Sequence, residues 1–207
     1  MKYLIILFAF LLFSCEEKKD VLLPKSNVSI VKDVQDHSPI YIFFKLEGKD
    51  TIAEVNRKNS IISTNWIFNI DKRLPLRLVI PEVIKLQEKK RGDTAHKNEK
   101  AQNYYSYADS IGKNLAFLPF TKVYYKTGIP SENHKIVVRF KKTNNIVSIN
   151  NTDIPKSEIL NFIQNSLKSK IVLLFDENMS YEEYIQNKIL IQKLTDNSDN
   201  FQEEFIF

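Results

Sequence analysis

Cysteine, glycine and histidine are scarce in this 207-residue chain, with one, four and three copies respectively. A single cysteine leaves no disulfide, and so few glycines argue against a glycine-rich loop that binds phosphate. The three histidines, His37, His96 and His134, are far apart and have no cysteine or carboxylate at ligand spacing. We therefore predict no metal site, no cofactor and no catalytic thiol.

Long hydrophobic runs are also missing. The longest apolar stretch, residues 3–13, follows Lys2 and is far shorter than the ~20 residues of a membrane-spanning helix. It has the length of a signal-peptide core, and it ends in the sequence LFSC, which resembles a bacterial lipobox. The resemblance implies cleavage before Cys15 and attachment of lipid to that residue.

We therefore predict a signal peptide at residues 1–14 and a lipidated Cys15, followed by a polar tether that reaches residue 39. Several acyl chains on one residue would hold a protein stably on a bacterial membrane, at the periplasmic face or the cell surface. The alternative is a signal peptide that is cut elsewhere, with Cys15 as an ordinary thiol.

Charge of one sign is not concentrated anywhere. Hydrophobic residues make up 43% of the chain and charged residues 27%, and the net charge is +5. This is the balance of a globular protein, and positive and negative side chains alternate along most of the chain. We predict a solvated mixed-charge surface and no nucleic-acid partner.

The pattern of apolar residues predicts an α+β protein of two small tandem modules at residues 40–126 and 135–207. Residues 127–134 contain glycine, proline and serine and are predicted to be a linker. We expect each module to be a mixed sheet of three to four strands with one or two helices.

In the first module we predict a strand, a turn and a second strand or short helix in residues 40–55, a buried strand at residues 65–71, and a helix up to about residue 87. A short helix within residues 103–117 and one strand at residues 116–126 would follow.

In the second module we predict a strand pair, a helix that Ser157 or Asp153 caps, a buried strand at 171–175, and a second helix. A final strand, ending at Phe207, would form a sheet edge that recruits a partner.

The two modules share a pattern at an offset of 105 residues. At this offset Asp71 aligns with Asp176, and apolar positions of a strand, a turn and a helix coincide. The alternative is a coincidence of ordinary strand–helix patterns. Two features do not fit a repeat: Pro81 lies inside the first predicted helix, and the first module has no equivalent of the helix at residues 155–169.

Residues 135–207 resemble the periplasmic domain of the ExbD/TolR family. The resemblance is carried by NNIVSINNTDIPKSEILNFIQNSLKSKIVLLFDENMSYEEYIQNKILIQKL. It gives the family's order of a strand pair, a helix, a strand that ends in aspartate, an acidic turn, a helix and a final strand. The family's transmembrane helix and membrane-embedded aspartate have no counterpart here. The resemblance therefore implies the fold and an interaction role, and not the energy-transducing activity.

Six residues are candidates for structural or binding roles. We predict that Asp71, Asp176 and Ser180 shape turns or cap the following helices, with a catalytic carboxylate pair as the alternative reading of the two aspartates. Tyr104, Tyr105 and Tyr107 belong to the densest aromatic cluster. The cluster is expected to be core, and these tyrosines are its best candidates for an exposed partner-binding patch.

We predict a non-catalytic lipoprotein of the cell envelope that binds or scaffolds. The resemblance implies TonB- or TolA-like proteins, motor subunits or peptidoglycan as partners, and possible homodimers. The alternatives are a lipoprotein that binds a nutrient or glycan and, ranked lower, an envelope hydrolase.

Overall fold

The computed structural model describes residues 19–92, 98–130, 136–142, 145–166, 171–192 and 203–207. These residues form two mixed sheets of six strands each and three α-helices. The α+β prediction is confirmed, and the two sheets fit two tandem modules, but each sheet is larger than the three to four strands predicted. Residues 1–14 and Cys15 lie outside the described residues.

The first sheet and its helix come from the first 119 residues. The strand order is β3–β2–β4–β5–β6, and β1 pairs with the far end of β5. Strands β2, β4 and β5 are parallel, while the outer strands β3 and β6 are antiparallel to their neighbours. The elements are β1 (Lys25–Ser26), β2 (His37–Glu47), β3 (Asp50–Asn56), β4 (Asn65–Ile70), α1 (Leu76–Arg91), β5 (Asn103–Asp109) and β6 (Asn114–Pro119).

The second sheet has the order β10–β9–β8–β11–β12–β7. Strands β8, β11, β12 and β7 are parallel, and β9 and β10 complete an antiparallel meander beside β8. The elements are β7 (Tyr124–Thr127), β8 (Ile136–Phe140), β9 (Ile146–Ile149), β10 (Thr152–Pro155), α2 (Ile159–Ser166), β11 (Ile171–Phe175), α3 (Tyr181–Gln192) and β12 (Glu203–Ile206).

Three predictions about individual elements are wrong. The helix predicted within residues 103–117 is the β5–β6 hairpin, in which Tyr105 and Tyr107 lie on one face of β5 at a period of two. The single strand predicted at residues 116–126 is divided into β6 and β7, and β7 joins the second sheet. Strand β12 is not a sheet edge, since β11 and β7 flank it on both sides.

Local sequence explains the tight turns. Gly48 adopts a φ of 61° in the two-residue loop between β2 and β3, a conformation that glycine tolerates without a Cβ clash. Asn150 and Asn151 both have positive φ in the loop between β9 and β10, as a type I′ hairpin requires.

A single apolar core joins the two sheets. It contains side chains of both sheets and of all three helices, including Phe68, Tyr105, Phe140, Phe175 and Tyr184. Pro81 lies within α1, which continues through it as one element while burying Leu76, Val79, Ile80, Val83 and Leu86. The two modules are therefore packed against each other as one body.

The two modules share a strand order. In the first module the order β3–β2–β4–β5 is a hairpin followed by two parallel strands, and the order β9–β8–β11–β12 repeats it in the second. Helices α1 and α3 begin at Leu76 and Tyr181, 105 residues apart, and each connects the last two parallel strands of its series. The offset seen in the sequence is thus a structural repeat.

Candidate functional site

Asp71 lies at the end of β4 and organises the turn that leads into α1. It is fully buried, and its carboxylate accepts hydrogen bonds from the backbone N–H groups of Arg73 (3.0 Å) and Leu22 (3.2 Å). The Arg73 guanidinium binds both carboxylate oxygens at 2.8 Å and lies 4.3 Å from the ring of Phe44. Asp71 shapes the turn as predicted. It does not cap the helix, since Pro75 holds the N-cap position of α1 and no side chain makes a cap hydrogen bond there.

Asp176 occupies the equivalent position after β11. Its Oδ1 accepts the backbone N–H of Asn178 at 2.8 Å, as Asp71 accepts that of Arg73. Its own N–H donates to the Phe140 carbonyl at 3.1 Å, and the Asp71 N–H donates to the Ile42 carbonyl at 3.0 Å. The two aspartates therefore form the same kind of turn in the two modules.

The two turns meet each other at the junction between the modules. Residues Pro75 and Ser180, 105 apart, form an antiparallel bridge. On either side of it the Leu76 N–H donates to the Met179 carbonyl at 3.0 Å, and the Tyr181 N–H donates to the Leu74 carbonyl at 2.8 Å. The two bonds are equivalent: at the offset of 105 residues, Leu76 corresponds to Tyr181 and Leu74 corresponds to Met179.

A second reciprocal pair of bonds extends the junction. The Arg77 N–H donates to the Glu177 carbonyl at 2.8 Å, and the Glu182 N–H donates to the Lys72 carbonyl at 3.1 Å. The modules are thus related by a pseudo-twofold axis through the Pro75–Ser180 bridge, and the first N–H groups of α1 and α3 are satisfied by the opposite module. We call this bridge and its four flanking bonds the junction.

Acid should weaken the Asp71 turn. Burial raises the pKa of Asp71, but the hydrogen bonds from the Arg73 side chain and from the Arg73 and Leu22 backbone outweigh it and hold the pKa below 3.8. We expect Asp71→Asn to cost about 1–3 kcal/mol of unfolding free energy at neutral pH. Because the folded pKa is depressed, this difference is present above pH ~4 and is lost as the pH falls through the folded value.

The measurement is urea denaturation of the wild type and the variant between pH 7 and pH 2. Asp176→Asn is the matched control, since Asp176 is only partly buried and accepts one backbone bond in the equivalent turn. A stability difference for Asp71→Asn that does not change with pH would contradict this account of the turn.

Ser180 caps α3. Its Oγ accepts the Glu183 N–H at 3.3 Å, and the Ser180 N–H donates back to the Glu183 carboxylate at 3.4 Å, which completes a capping box. The cap predicted for α2 is wrong, since Asp153 binds Ser148 and Lys141 instead and no side chain caps the preceding 3₁₀ turn at Pro155.

Removing the Ser180 cap should destabilise the start of α3. We expect Ser180→Ala to lower the unfolding free energy by about 1 kcal/mol because an N–H at the helix start loses its partner. Ser157→Ala, in the turn before α2, is the control and should change stability by less than ~0.5 kcal/mol. Thermal denaturation measures both, and equal losses would show that the capping box contributes nothing.

The exposed tyrosine patch is wrong for two of its three members. Tyr105 and Tyr107 are fully buried and point into the core, and only Tyr104 is partly exposed. Tyr105 stacks on Phe120, and the Tyr107 hydroxyl donates to the Val28 carbonyl at 2.8 Å. These tyrosines therefore build the interior instead of a partner-binding surface.

Tyr105 opens a chain of buried polar groups that connects the modules. Its hydroxyl bonds to that of Tyr125 at 2.7 Å, Tyr125 bonds to Tyr184 at 3.0 Å, and Tyr184 donates to Glu204 at 2.7 Å. The other carboxylate oxygen of Glu204 forms an ion pair with Lys188. Burial raises the pKa of Tyr105, Tyr125 and Tyr184 well above the ordinary value, so the three hydroxyls stay protonated.

This chain is the densest group of buried ionisable side chains that the structure describes, and sequence reasoning missed it. Glu204 is fully buried and Lys188 is 6% exposed. The groups bind one another, and a cavity of about 80 Å³ beside Lys188, lined by Thr121, Lys122 and Gln192 among others, has room for little more than water molecules. The arrangement suits a structural network that fixes the two modules.

A second buried lysine sits at the C-terminal part of α1. Lys90 donates to the carbonyls of Thr64 (2.9 Å) and Gln102 (3.1 Å), and its ammonium lies 4.7 Å from the Trp66 ring. Burial lowers the pKa of Lys90 to about 8. Its partners are backbone carbonyls that hold the loop before β5, so this lysine also has a structural role.

The described His, Cys, Asp and Glu side chains and a groove beside α3 bear on the expected absence of a metal site and on the alternative of glycan binding. Among the described residues, no group of three or more His, Cys, Asp or Glu side chains is placed to hold a metal ion. A groove of about 380 Å³ lies between residues 25–28 and α3, and its described lining contains no aromatic side chain on which a sugar ring stacks. The His37 Nδ1–H donates to the Val34 carbonyl, 2.8 Å away, and His96 and His134 lie outside the described residues.

Neither a known protein family, nor a curated protein, nor a solved structure matches the chain. The function must therefore be argued from the residues. No described helix is long and apolar enough to cross a membrane.

Proposed function

We propose that this protein is a non-catalytic lipoprotein of the bacterial cell envelope, anchored through Cys15, that acts as a binding or scaffolding module. We propose further that it associates with a transport system of the ExbD/TolR/TonB type. The observation that carries the proposal is the junction, which joins two modules of one strand order into a single pseudo-symmetric body.

The second module supports the resemblance to the ExbD/TolR periplasmic domain by its element order. The strand pair β8–β9, α2, β11 ending before Asp176, an acidic turn, α3 and β12 follow in the order that the resemblance implies, with the additional strand β10 before α2. That resemblance also implies dimerisation. We propose that the chain supplies both halves of such a unit, with the first module in the place of a second subunit.

The nature of the buried polar groups supports a non-catalytic role. The side chains of Asp71, Lys188 and Glu204 are engaged with protein groups that hold turns and modules together. A hydrolase needs a nucleophile or a metal-bound water that can reach a substrate. Buried charges that are engaged in this way are suited to holding a binding or scaffolding body together.

The proposal can be tested by site-specific photo-crosslinking in native membranes. A photoreactive residue would replace Ile61 in one variant and Ile146 in another, because these side chains are exposed and lie in different modules. We expect crosslinks to motor subunits, to TonB- or TolA-like proteins or to peptidoglycan fragments. Acylated protein that crosslinks to none of these from either module would contradict the proposal.

A further inference from the structure

The folded body begins very close to Cys15. The Lys19 side chain forms an ion pair with Glu54 and lies 6.0 Å from the ring of Phe43. Three residues later, the Leu22 N–H donates to Asp71 and the Leu22 carbonyl accepts from Lys72 at 2.8 Å. The polar tether predicted for residues 15–39 is therefore packed on the protein from Lys19 onward.

This packing limits the distance between the protein and its anchor. Cys15 and Lys19 are separated by four residue steps, which span at most about 14 Å when fully extended. Acyl chains on Cys15 lie in the bilayer, so Lys19 must lie within about 14 Å of the residue that enters the headgroup layer. A body held this closely cannot rotate freely above the membrane.

The surface beside Lys19 is the outer face of the β2–β3 hairpin. Tyr41 lies there, 37% exposed, and its ring stacks on Phe43 with the centroids 5.7 Å apart. Lys45 follows on the same face of β2, two residues beyond Phe43. A tyrosine with a polar tip and lysines with long apolar stems are the side chains that settle at the membrane–water interface.

We infer that the outer face of the β2–β3 hairpin rests on the phospholipid headgroups of the membrane that holds the Cys15 lipid. The inference depends on the proposed lipidation and adds the orientation of the protein. Lys19 and Lys45 are paired with Glu54 and Glu47 on the same surface, so the face has little net charge. The short tether sets the orientation, and we expect it to persist in neutral lipid and at high salt.

The orientation can be measured by fluorescence quenching. Cys15 is the single cysteine of the chain, and its acylation leaves no free thiol. An introduced cysteine, Tyr41→Cys or Lys45→Cys, can therefore be labelled specifically with one environment-sensitive dye. Ile146→Cys is the matched control because Ile146 is also 37% exposed and begins the strand of the corresponding hairpin in the second module. The labelled, acylated proteins would be reconstituted into phosphatidylcholine vesicles that contain lipid with a nitroxide near the headgroup.

We expect the nitroxide lipid to quench the dyes at positions 41 and 45 several-fold more strongly than the dye at position 146. Equal quenching at the three positions, in proteins whose circular dichroism matches the wild type, would overturn the inference. Mass spectrometry of the N-terminal peptide and flotation with vesicles test the anchor separately. A chain without acyl groups that fails to float contradicts the proposed lipoprotein, whereas an acylated, floating protein with equal quenching contradicts only the orientation.

Discussion

Replacing Glu204 by alanine should lower the free energy of unfolding by about 3–5 kcal/mol. The Glu204 carboxylate is fully buried, pairs with Lys188 and accepts the Tyr184 hydroxyl at 2.7 Å. Alanine would leave the Lys188 ammonium in the interior without a counter-charge and would remove the acceptor at the end of the tyrosine chain. A loss of this size is a large share of the stability of a protein of this length.

The control is a glutamate–lysine ion pair on the surface of the protein. Glu82 and Lys85 pair at 2.6 Å on the surface of α1, and Glu82→Ala should cost less than ~1 kcal/mol. A double variant, Lys188→Met with Glu204→Leu, should recover much of the loss because it removes both charges and keeps the volume. Urea denaturation at neutral pH compares the three, and a Glu204→Ala loss no larger than that of Glu82→Ala would contradict the structural role of the network.

Residues 135–207 alone should fail to fold. Strand β7, which lies before this segment, is the neighbour of β12 in the second sheet, and Tyr125 of β7 is the partner of Tyr184. The fragment would also expose the side chains that contact the first module, including Tyr181 and Tyr184, which pack against Tyr105. Because a domain this small has little stability to lose, removing shared core and one strand should abolish cooperative folding.

Circular dichroism and amide proton dispersion in NMR spectra measure this directly. We expect an unfolded spectrum for the isolated fragment and a folded one for the intact chain under the same conditions. A cooperative thermal transition of the fragment alone would show that the second module folds independently. It would contradict the expected contribution of the shared core to its stability.

Local patterns predicted most of the second module and part of the first. The apolar run of β11, the Ser180–Glu183 spacing and the hairpin at Gly48 each depend on residues close in sequence, which is why they could be recognised. The 105-residue offset was visible because the same turn chemistry follows β4 and β11. The aspartates in those turns were correctly assigned to shaping them.

Long-range pairings were not visible. Nothing in the sequence near Tyr124 indicates that it pairs in parallel with Glu203, 79 residues away. Tyr105 and Tyr107 were expected to belong to the core, with an exposed patch as the alternative, but the packing of α3 and β7 over Tyr105 could not be predicted from the sequence. The Lys188–Glu204 pair likewise exists only after α3 and β12 are brought together.

The central claim is that two like modules meet about the Pro75–Ser180 bridge. These residues occupy a non-hydrogen-bonded position of an antiparallel pair, where Cα atoms lie about 4.5 Å apart and a disulfide can form without strain. The decisive measurement is oxidation of Pro75→Cys/Ser180→Cys in a Cys15→Ser background, followed by mass spectrometry under native conditions. Pro75→Cys/Gln186→Cys, with the second cysteine further along α3, is the control pair. We predict rapid, complete disulfide formation in the folded Pro75/Ser180 variant and none in the control; a folded Pro75/Ser180 variant that keeps both thiols free would contradict the junction and the proposal that rests on it.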